Sequence, residues 1–528
     1  MRSKGKSFAK STLEKGRWIH NGLTKSIATI FLLLLLVIFP WYFHDKYLEM
    51  SFYKWIFYVS ITIVFLVTAF VLFVIGKMLG IKNRYSLPDL LVVLYGIIAT
   101  ISFTSCSYPK AAFMGTDGWY MGFVAQILFV LTYLVFSTQK VKAEVVITLN
   151  YVGSIFCFVV AICQRYGNDF LHLYWEMPAE IIRDYLSTIG NRTWFSAYVC
   201  TVCPIGIYLF WKAKNKTQLY LYGIYTYISF ACIAVTNSDS AYAGIIAVLY
   251  ILLLLSVNNV ECIKRFYWVL ILWSSACLSM ALLRIPYEQE VRDLRGLSKM
   301  FLDTKMATIL LIISVLLLYI MMACSNKVIH INASKVRKWI LGSTSIMIGF
   351  VILVIVLNTT GLFQRCFGFT LQTQYLLFDD AWGDYRGSSW ILTVEMFLQL
   401  PIKQMLFGVG PDCFAYYAYS DAEYSQYLNG FWGEAVLANA HNEWLNSIFC
   451  MGILGGLVYI SIFVCVMIYC LKKDDDKNTN RIVPAIGLCI AGYMAHNFFC
   501  YQQVSATGVI FVLMGIAMCQ LKETIKSN

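Results

Sequence analysis

Ala440–Gly456 reads AHNEWLNSIFCMGILGG, and the apolar run it opens continues to about residue 470. A helix needs about 20 apolar residues to cross the hydrocarbon core of a bilayer, and this run is long enough. His441 stands at its polar end, and Gly452, Gly455 and Gly456 lie deeper inside. Read as one continuous helix, the stretch places His441 and Gly452 about three turns apart on one face, with Gly455 and Gly456 close to that face. Glycines at this spacing let a neighbouring helix approach closely. A polar residue at a helix N-terminus sits beside unsatisfied N–H groups that favour anions. The stretch therefore reads as a reactive tip on a packed stem. The plainer reading is a boundary histidine on a helix whose glycines serve packing alone.

The rest of the chain has the same apolar character. Its 528 residues are 59% hydrophobic and only 13% charged, with mean hydropathy +0.67, where soluble domains carry about a quarter charged residues. The fold class expected is an all-α polytopic membrane protein. Run lengths place about fourteen spans, near 26–43, 55–76, 88–105, 119–137, 144–163, 194–211, 219–236, 240–257, 266–283, 305–324, 339–358, 442–470, 483–499 and 503–521. This divides the chain into a basic N-terminus (1–25), a transmembrane bundle (26–358), one large loop (359–441), the C-terminal helices with the histidine stretch (442–521) and a short tail (522–528). The first run ends in Pro40-Trp41-Tyr42 without a small-residue cleavage site, so it reads as a retained span. The 17 cysteines lie mostly inside apolar runs and read as small packing residues. Cys200 and Cys203, inside a span, mark one helix face rather than a redox or zinc site.

Basic residues orient the spans. Seven precede the first one, and more recur in alternate loops: Lys77, Lys82 and Arg84; Lys140 and Lys142; Lys212, Lys214 and Lys216; Lys264 and Arg265; Lys327, Lys335, Arg337 and Lys338; Lys472, Lys473, Lys477 and Arg481; and Lys522 and Lys526 in the tail. This bias expects both termini in the cytoplasm and His441 at the outer face of the cytoplasmic membrane. It also accounts for the net charge of +12 without any nucleic-acid partner.

Three outer segments are long, about 164–193, 284–304 and 359–441, and loops of such length in compact proteins usually carry function. The last is expected to hold short interfacial helices, with Trp390–Leu400 the clearest, and a sharp break at Phe407-Gly408-Val409-Gly410-Pro411. It carries eight acids (Asp379, Asp380, Asp384, Glu395, Asp412, Asp421, Glu423, Glu434) against Arg365, Arg386 and Lys403. Among these cations Arg386 suits a phosphate, because a planar guanidinium offers paired donors. The competing assignment is a surface arginine answering Asp384.

His441-Asn442, nine residues, Gly452, two residues and Gly455 resemble the histidine motif of the O-antigen ligase and O-antigen polymerase family. The run Arg386, Trp390, Met396, Pro401 and Gly408-Val409-Gly410 is similar to the stretch that precedes that histidine in the family. Gly190-Asn191 and Thr236–Ala241 are similar to other family stretches. One departure stands out: many relatives carry Ser-Arg-Gly-Ala where this chain has Ser238-Asp239-Ser240-Ala241. A carboxylate there repels a diphosphate, so either Arg192 or Arg284 takes over from the missing arginine or Asp239 handles a sugar hydroxyl.

The resemblance implies a GT-C-like membrane glycosyltransferase with an external active site. Its donor would be a glycan carried on a polyprenyl diphosphate, its acceptor a glycan, lipid or protein hydroxyl at the outer membrane face, and membrane lipid a further partner. It implies inversion at the anomeric centre and no cofactor, metal or nucleotide sugar. On that reading Arg386, with Arg192 and Arg284, binds diphosphate, and His441 takes or orients the acceptor proton. Asn442, Glu434, Asp412, Asp239 and His496 contact sugar or acceptor, with Asp412 or Glu434 as alternative bases. Gly452, Gly455 and Gly456 pack the helix. His496 enters because Ala495-His496-Asn497 echoes Ala440-His441-Asn442; a boundary histidine is its other reading. Ligase, polymerase and protein glycosyltransferase share the motif, and the Asp239 departure favours polymerase. The alternative from another class is a lipid-linked oligosaccharide flippase or polysaccharide transporter, against which the absence of repeated halves counts.

Overall fold

The structure is a computed structural model that describes residues 2–289, 291, 294–324, 332–373, 375–472 and 481–527; Lys327, Lys473 and Lys477 lie outside the described residues. Helices make up about three quarters of it, and the strands found among the described residues are the two-residue pair Tyr185–Leu186 and Gly190–Asn191. Among the described residues, 12 helices are long and apolar enough to cross a membrane, from Thr12–Trp41 to Val504–Glu523, so this is an integral membrane protein. Two of the fourteen expected spans, 119–137 and 483–499, are the shorter helices Phe123–Phe136, with 14 residues, and Ile482–Asn497, with 16. At about 1.5 Å per residue they fall short of about 30 Å of hydrocarbon.

Burial separates a centre from a periphery. Ile482–Asn497 packs on Arg192–Trp211, Asp239–Ser256 and Glu443–Leu471, and the apolar stretch of Val504–Glu523 is wholly buried inside the protein. Small residues allow this. A methyl group on Gly492 would come 2.6 Å from the Cys200 carbonyl, so the two helices meet backbone to backbone there. By contrast, the apolar stretch of Ala333–Thr359 has no buried residue and lies on the outside of the bundle.

Where helices stop, their open carbonyls find partners. Thr12–Trp41 ends one residue after Pro40, and the buried Lys54 ammonium takes the carbonyls of Phe39 at 2.9 Å and Tyr42 at 2.8 Å. The long loop is helical too, with Leu362–Phe367, Trp382–Gln399, Ile402–Phe407, Phe414–Ala418 and Ala422–Trp432. Its apolar side chains Leu392, Met396, Val409, Phe414 and Leu428 share one core with Phe449 and Cys450. The loop is therefore packed onto the beginning of the histidine-motif helix.

That helix differs from the continuous rod expected. Asn442 is its N-cap, accepting from the N–H groups of Trp444 and Leu445, so His441 stands outside it. Glu443–Leu471 is broken at Gly452, with φ 70° and ψ 173°, which removes the shared face assigned to His441 and Gly452. The physical reason is an intruding backbone. The break frees the Phe449 and Cys450 carbonyls, which accept from Val409 N at 3.3 Å and Gly410 N at 3.1 Å, while Ser102 Oγ reaches Cys450 O at 3.0 Å. A methyl group on Gly408 would meet Cys450 O at 2.1 Å, and one on Gly452 would meet Leu406 C at 2.2 Å. Beyond the break, Gly455 faces Ile98, and Gly456 lies against Ile448.

Gly452→Ala should therefore cost about 3 kcal/mol or more, from the left-handed backbone and the collision together. Gly342→Ala, where a methyl group meets nothing within 4 Å, should leave stability unchanged or slightly raised. Thermal unfolding of the two purified variants in one detergent compares them directly.

Candidate active site

His441 is presented by a short polar turn. Its own N–H donates to Asn439 Oδ1 at 3.0 Å, its φ is 49°, and the Ala440 carbonyl accepts from Ser389 Oγ at 3.2 Å. These bonds tie the turn both to the helix it precedes and to the loop helix Trp382–Gln399. The imidazole is half-buried, with the rings of Trp432 and Tyr501 each at 5.3 Å. Burial, and next the positive charge of Arg386, hold it down to about 3, so it is neutral near pH 7.

Arg386 reaches the same place from the loop. Three successive residues, Gly383, Asp384 and Tyr385, have left-handed backbone and break Trp382–Gln399 just before it. Two of them are not glycine, a conformation that costs about 1–2 kcal/mol per residue. The turn brings the Gly383 carbonyl onto Arg386 Nη1, while Nε donates to the Phe499 carbonyl at 2.9 Å. Phe499 lies just past the helix end that carries His496, so one guanidinium clamps the long loop to the C-terminal helices. This places Arg386 beside His441 instead of in a surface pair with Asp384.

A buried polar chain runs below them. Glu443 is 1% exposed and accepts from Tyr459 at 2.7 Å, from Tyr493 at 2.9 Å and from Asn497. Asn497 Oδ1 lies 2.6 Å from His496 Nδ1, and His496 Nε2 lies 3.1 Å from Ser240 Oγ. Asn497 Oδ1 only accepts, so His496 Nδ1 carries the hydrogen and Nε2 accepts from the serine. His496 is fully buried within this chain, linking the histidine-motif helix to the Asn237–Ser240 turn.

The remaining sequence-assigned residues lie as follows. Asp239 has both oxygens engaged, accepting from Leu297 N at 2.8 Å and from Tyr375 Oη at 2.8 Å. It pins the segments that contain Leu297 and Tyr375 to the start of Asp239–Ser256. Asp412 is buried and accepts from Thr116 N at 2.7 Å and Met121 N at 3.0 Å. Burial pushes its carboxyl up to about 7 against those two hydrogen bonds, and it lines a cavity of about 20 Å³, room for about one water. Glu434 is exposed on the turn after Trp432, and Asn442 is occupied as the helix cap. Arg192 pairs with Asp184 at 3.3 Å, and Arg284 keeps a buried Nε with no hydrogen-bond partner.

Two residues escaped the reading of the sequence. Arg165 is buried, and its Nε and Nη2 donate to the carbonyls of Val235 at 2.8 Å and Thr236 at 3.4 Å, directly beside the turn that holds Asp239. It lies within electrostatic reach of Arg192, and both Arg165 and Arg284 lie within electrostatic reach of the Tyr166 hydroxyl, which donates to the Met280 carbonyl at 2.7 Å. Glu443 was counted only as one of nine spacer residues. A charged residue at the end of, or just inside, an apolar run is the signal for both.

The depressed imidazole has a consequence for stability. In the unfolded chain His441 binds a proton near its ordinary value of about 6.5, and in the folded chain only near 3. The folded state therefore loses stability as pH falls below about 6.5 towards 3. His441→Gln should remove that share of the loss, so the drop in thermal midpoint between pH 7 and pH 5 should be smaller than in the parent protein. An unchanged drop would mean that the imidazole is already charged in the fold.

Residues 294–460 match the family model described as O-antigen ligase, a segment that contains Arg386, the Gly408–Gly410 turn and His441. No curated protein matches the chain. The match includes Arg386 and His441, which the geometry brings together, so the 294–460 segment of this membrane protein is similar to the O-antigen ligase family.

Proposed function

We propose that this protein is a glycosyltransferase of the cytoplasmic membrane that moves a polyprenyl-diphosphate-linked glycan onto an acceptor hydroxyl at the outer face. The observation that carries the reading is the convergence of Arg386 and His441, delivered by two separate elements. In the reaction the acceptor oxygen attacks the anomeric carbon from the side opposite the diphosphate. The bond from that carbon to the diphosphate oxygen breaks and its electron pair leaves with the diphosphate. The hydroxyl proton passes to the imidazole, and the configuration inverts. The leaving group already stores the driving force, so the enzyme's task is to stabilise developing charge and align the acceptor.

An imidazole held near 3 is a weak base in the empty site. Donor binding changes this. A diphosphate on Arg386 offsets the positive charge that helps to depress His441, so the proton affinity of the imidazole rises once the donor is in place. Arg165 and Arg192, with Arg284, supply the charge that Asp239 lacks, and Asp239 serves to hold the outer segments around them. Both termini lie in the cytoplasm on this reading, as the distribution of lysine and arginine indicates. The departure at Asp239 favours chain polymerisation over ligation of a finished chain to another acceptor.

Purified protein in nanodiscs, given a polyprenyl-diphosphate-linked repeat unit, should yield a ladder of products. His441→Ala should lower the rate by about 100-fold or more while the protein stays monodisperse. Arg386→Lys should fall between Arg386→Ala and the parent, because it keeps charge and loses the paired donors. Near-normal product from His441→Ala would sink the assignment.

In the same assay Arg165→Gln should weaken donor binding at least as much as Arg192→Gln, read as a rise in KM. An unaltered KM in Arg165→Gln would return the missing cation to Arg192 and Arg284 alone.

A further inference from the structure

Two of the groups that frame the candidate site belong to one short turn. The Phe499 carbonyl accepts from Arg386 Nε at 2.9 Å, and the ring of Tyr501 lies 5.3 Å from that of His441. Both residues stand between the end of Ile482–Asn497 and the next helical segment, Val504–Gly508. The placement of Arg386, and of the wall beside His441, therefore depends on what fixes this turn.

Both ends of the turn are tied to Glu443, two residues after His441 in sequence. At the near end Asn497 Nδ2 donates to Glu443 Oε2. At the far end Gln502 Nε2 donates to Tyr459 Oη at 2.7 Å, and Tyr459 Oη in turn donates to Glu443 Oε1 at 2.7 Å. Glu443, Asn497 and Tyr459 are all buried.

The direction of each bond is fixed from outside. Asn497 Nδ2 also faces the Tyr501 carbonyl at 3.3 Å, and a carbonyl only accepts, so the amide nitrogen is the atom turned to Glu443. Gln126 Nε2 faces the Met121 carbonyl at 2.8 Å and Gln502 Oε1 at 2.7 Å. This leaves Gln502 Nε2 for Tyr459 and turns the Tyr459 hydrogen towards Glu443. Both oxygens of residue 443 must therefore accept. A glutamine side chain offers one acceptor oxygen and one donor nitrogen, so it serves one end and opposes the other. Tyr493 Oη, 2.9 Å from each oxygen, can donate or accept.

We propose that Glu443 is a positioning residue for glycan transfer, an inference that rests on the function proposed above. Its two acceptor oxygens hold the Asn497–Gln502 turn at both ends. The turn in its place holds Arg386 by the Phe499 carbonyl and lays Tyr501 against His441. Glu443 acts through that turn and not on the reacting atoms.

Initial rates of the purified full-length protein in nanodiscs, with a polyprenyl-diphosphate-linked repeat unit, test this. Glu443→Gln should lower kcat/KM about a hundredfold, and Tyr459→Phe, which releases the far end alone, about tenfold. Removing the Tyr459 hydroxyl also removes the donor that opposes a glutamine nitrogen. Glu443→Gln combined with Tyr459→Phe should therefore be no slower than Tyr459→Phe by itself. Tyr225→Phe, which deletes another buried hydroxyl, 2.8 Å from Ser154 Oγ, should stay within about twofold of the parent. Should Glu443→Gln fail to fold, Tyr459→Phe against Tyr225→Phe decides. Near-parent rates in Glu443→Gln, multiplied losses in the double variant, or equal losses in Tyr225→Phe and Tyr459→Phe would each overturn the proposal. His441→Ala, inactive in the same assay, would then leave the transfer reading standing, so the two fail separately.

Discussion

Two stretches of backbone meet with no side chain between them where Gly408–Gly410 lies on Phe449–Gly452, and the candidate site is built on that contact. The broken helix surrenders two carbonyls, and the glycine turn supplies two N–H groups to meet them. A buried peptide group without a partner is costly, so neither half is stable in this form without the other. The contact locks the long loop onto the bundle. It thereby sets where Trp382–Gln399 can lie, and with it the reach of Arg386 to the Phe499 carbonyl. Gly452 belongs to the histidine motif because the chain must break there, and packing of a smooth helix is a secondary matter.

Electrostatics in the site follow from what surrounds each group. His441 is kept neutral by burial and by Arg386, while the carboxyl group of Glu443 sits below it among three hydrogen-bond partners. Polar groups this deep persist only where their hydrogen bonds are supplied by the fold. Tyr459, Tyr493 and Asn497 come from three different turns of two helices and do this for Glu443. The arginines are held in the same manner, by carbonyls at the ends of helices and by Asp184. Arg165 and Arg386, held by neutral carbonyls, keep their charge for an anion, whereas Arg192 shares its charge with Asp184.

Much of this was legible in the chain. Apolar run length alone announced a bundle of membrane helices, because hydrocarbon forces every backbone polar group to be paired within its own helix. The isolation of Arg386 among acids marked it, and so did the histidine at the mouth of its run. The continuous helix through Gly452 was not a sound inference, because glycine is as compatible with a helix as with its interruption, and only the incoming Gly408 backbone decides between them. Arg165 was overlooked because a cation at the end of a span looks like any other boundary charge. Asp239 was taken for a repulsive substitute, whereas its carboxylate is consumed by Leu297 and Tyr375, which lie far away in sequence.

What the sequence by itself determined is therefore local: which segments enter hydrocarbon, which residue types carry chemistry and which spacing marks the histidine. Those properties depend on transfer free energies and on neighbours within a few positions. Only the tertiary structure decided which groups share a site. Arg165, Asp239, Arg386, His441 and His496 come from five separate elements, and their meeting depends on close backbone approaches at Gly452 and Gly492. The spacing between elements carries no record of such approaches, since whether a small residue admits a neighbour depends on the neighbour being there.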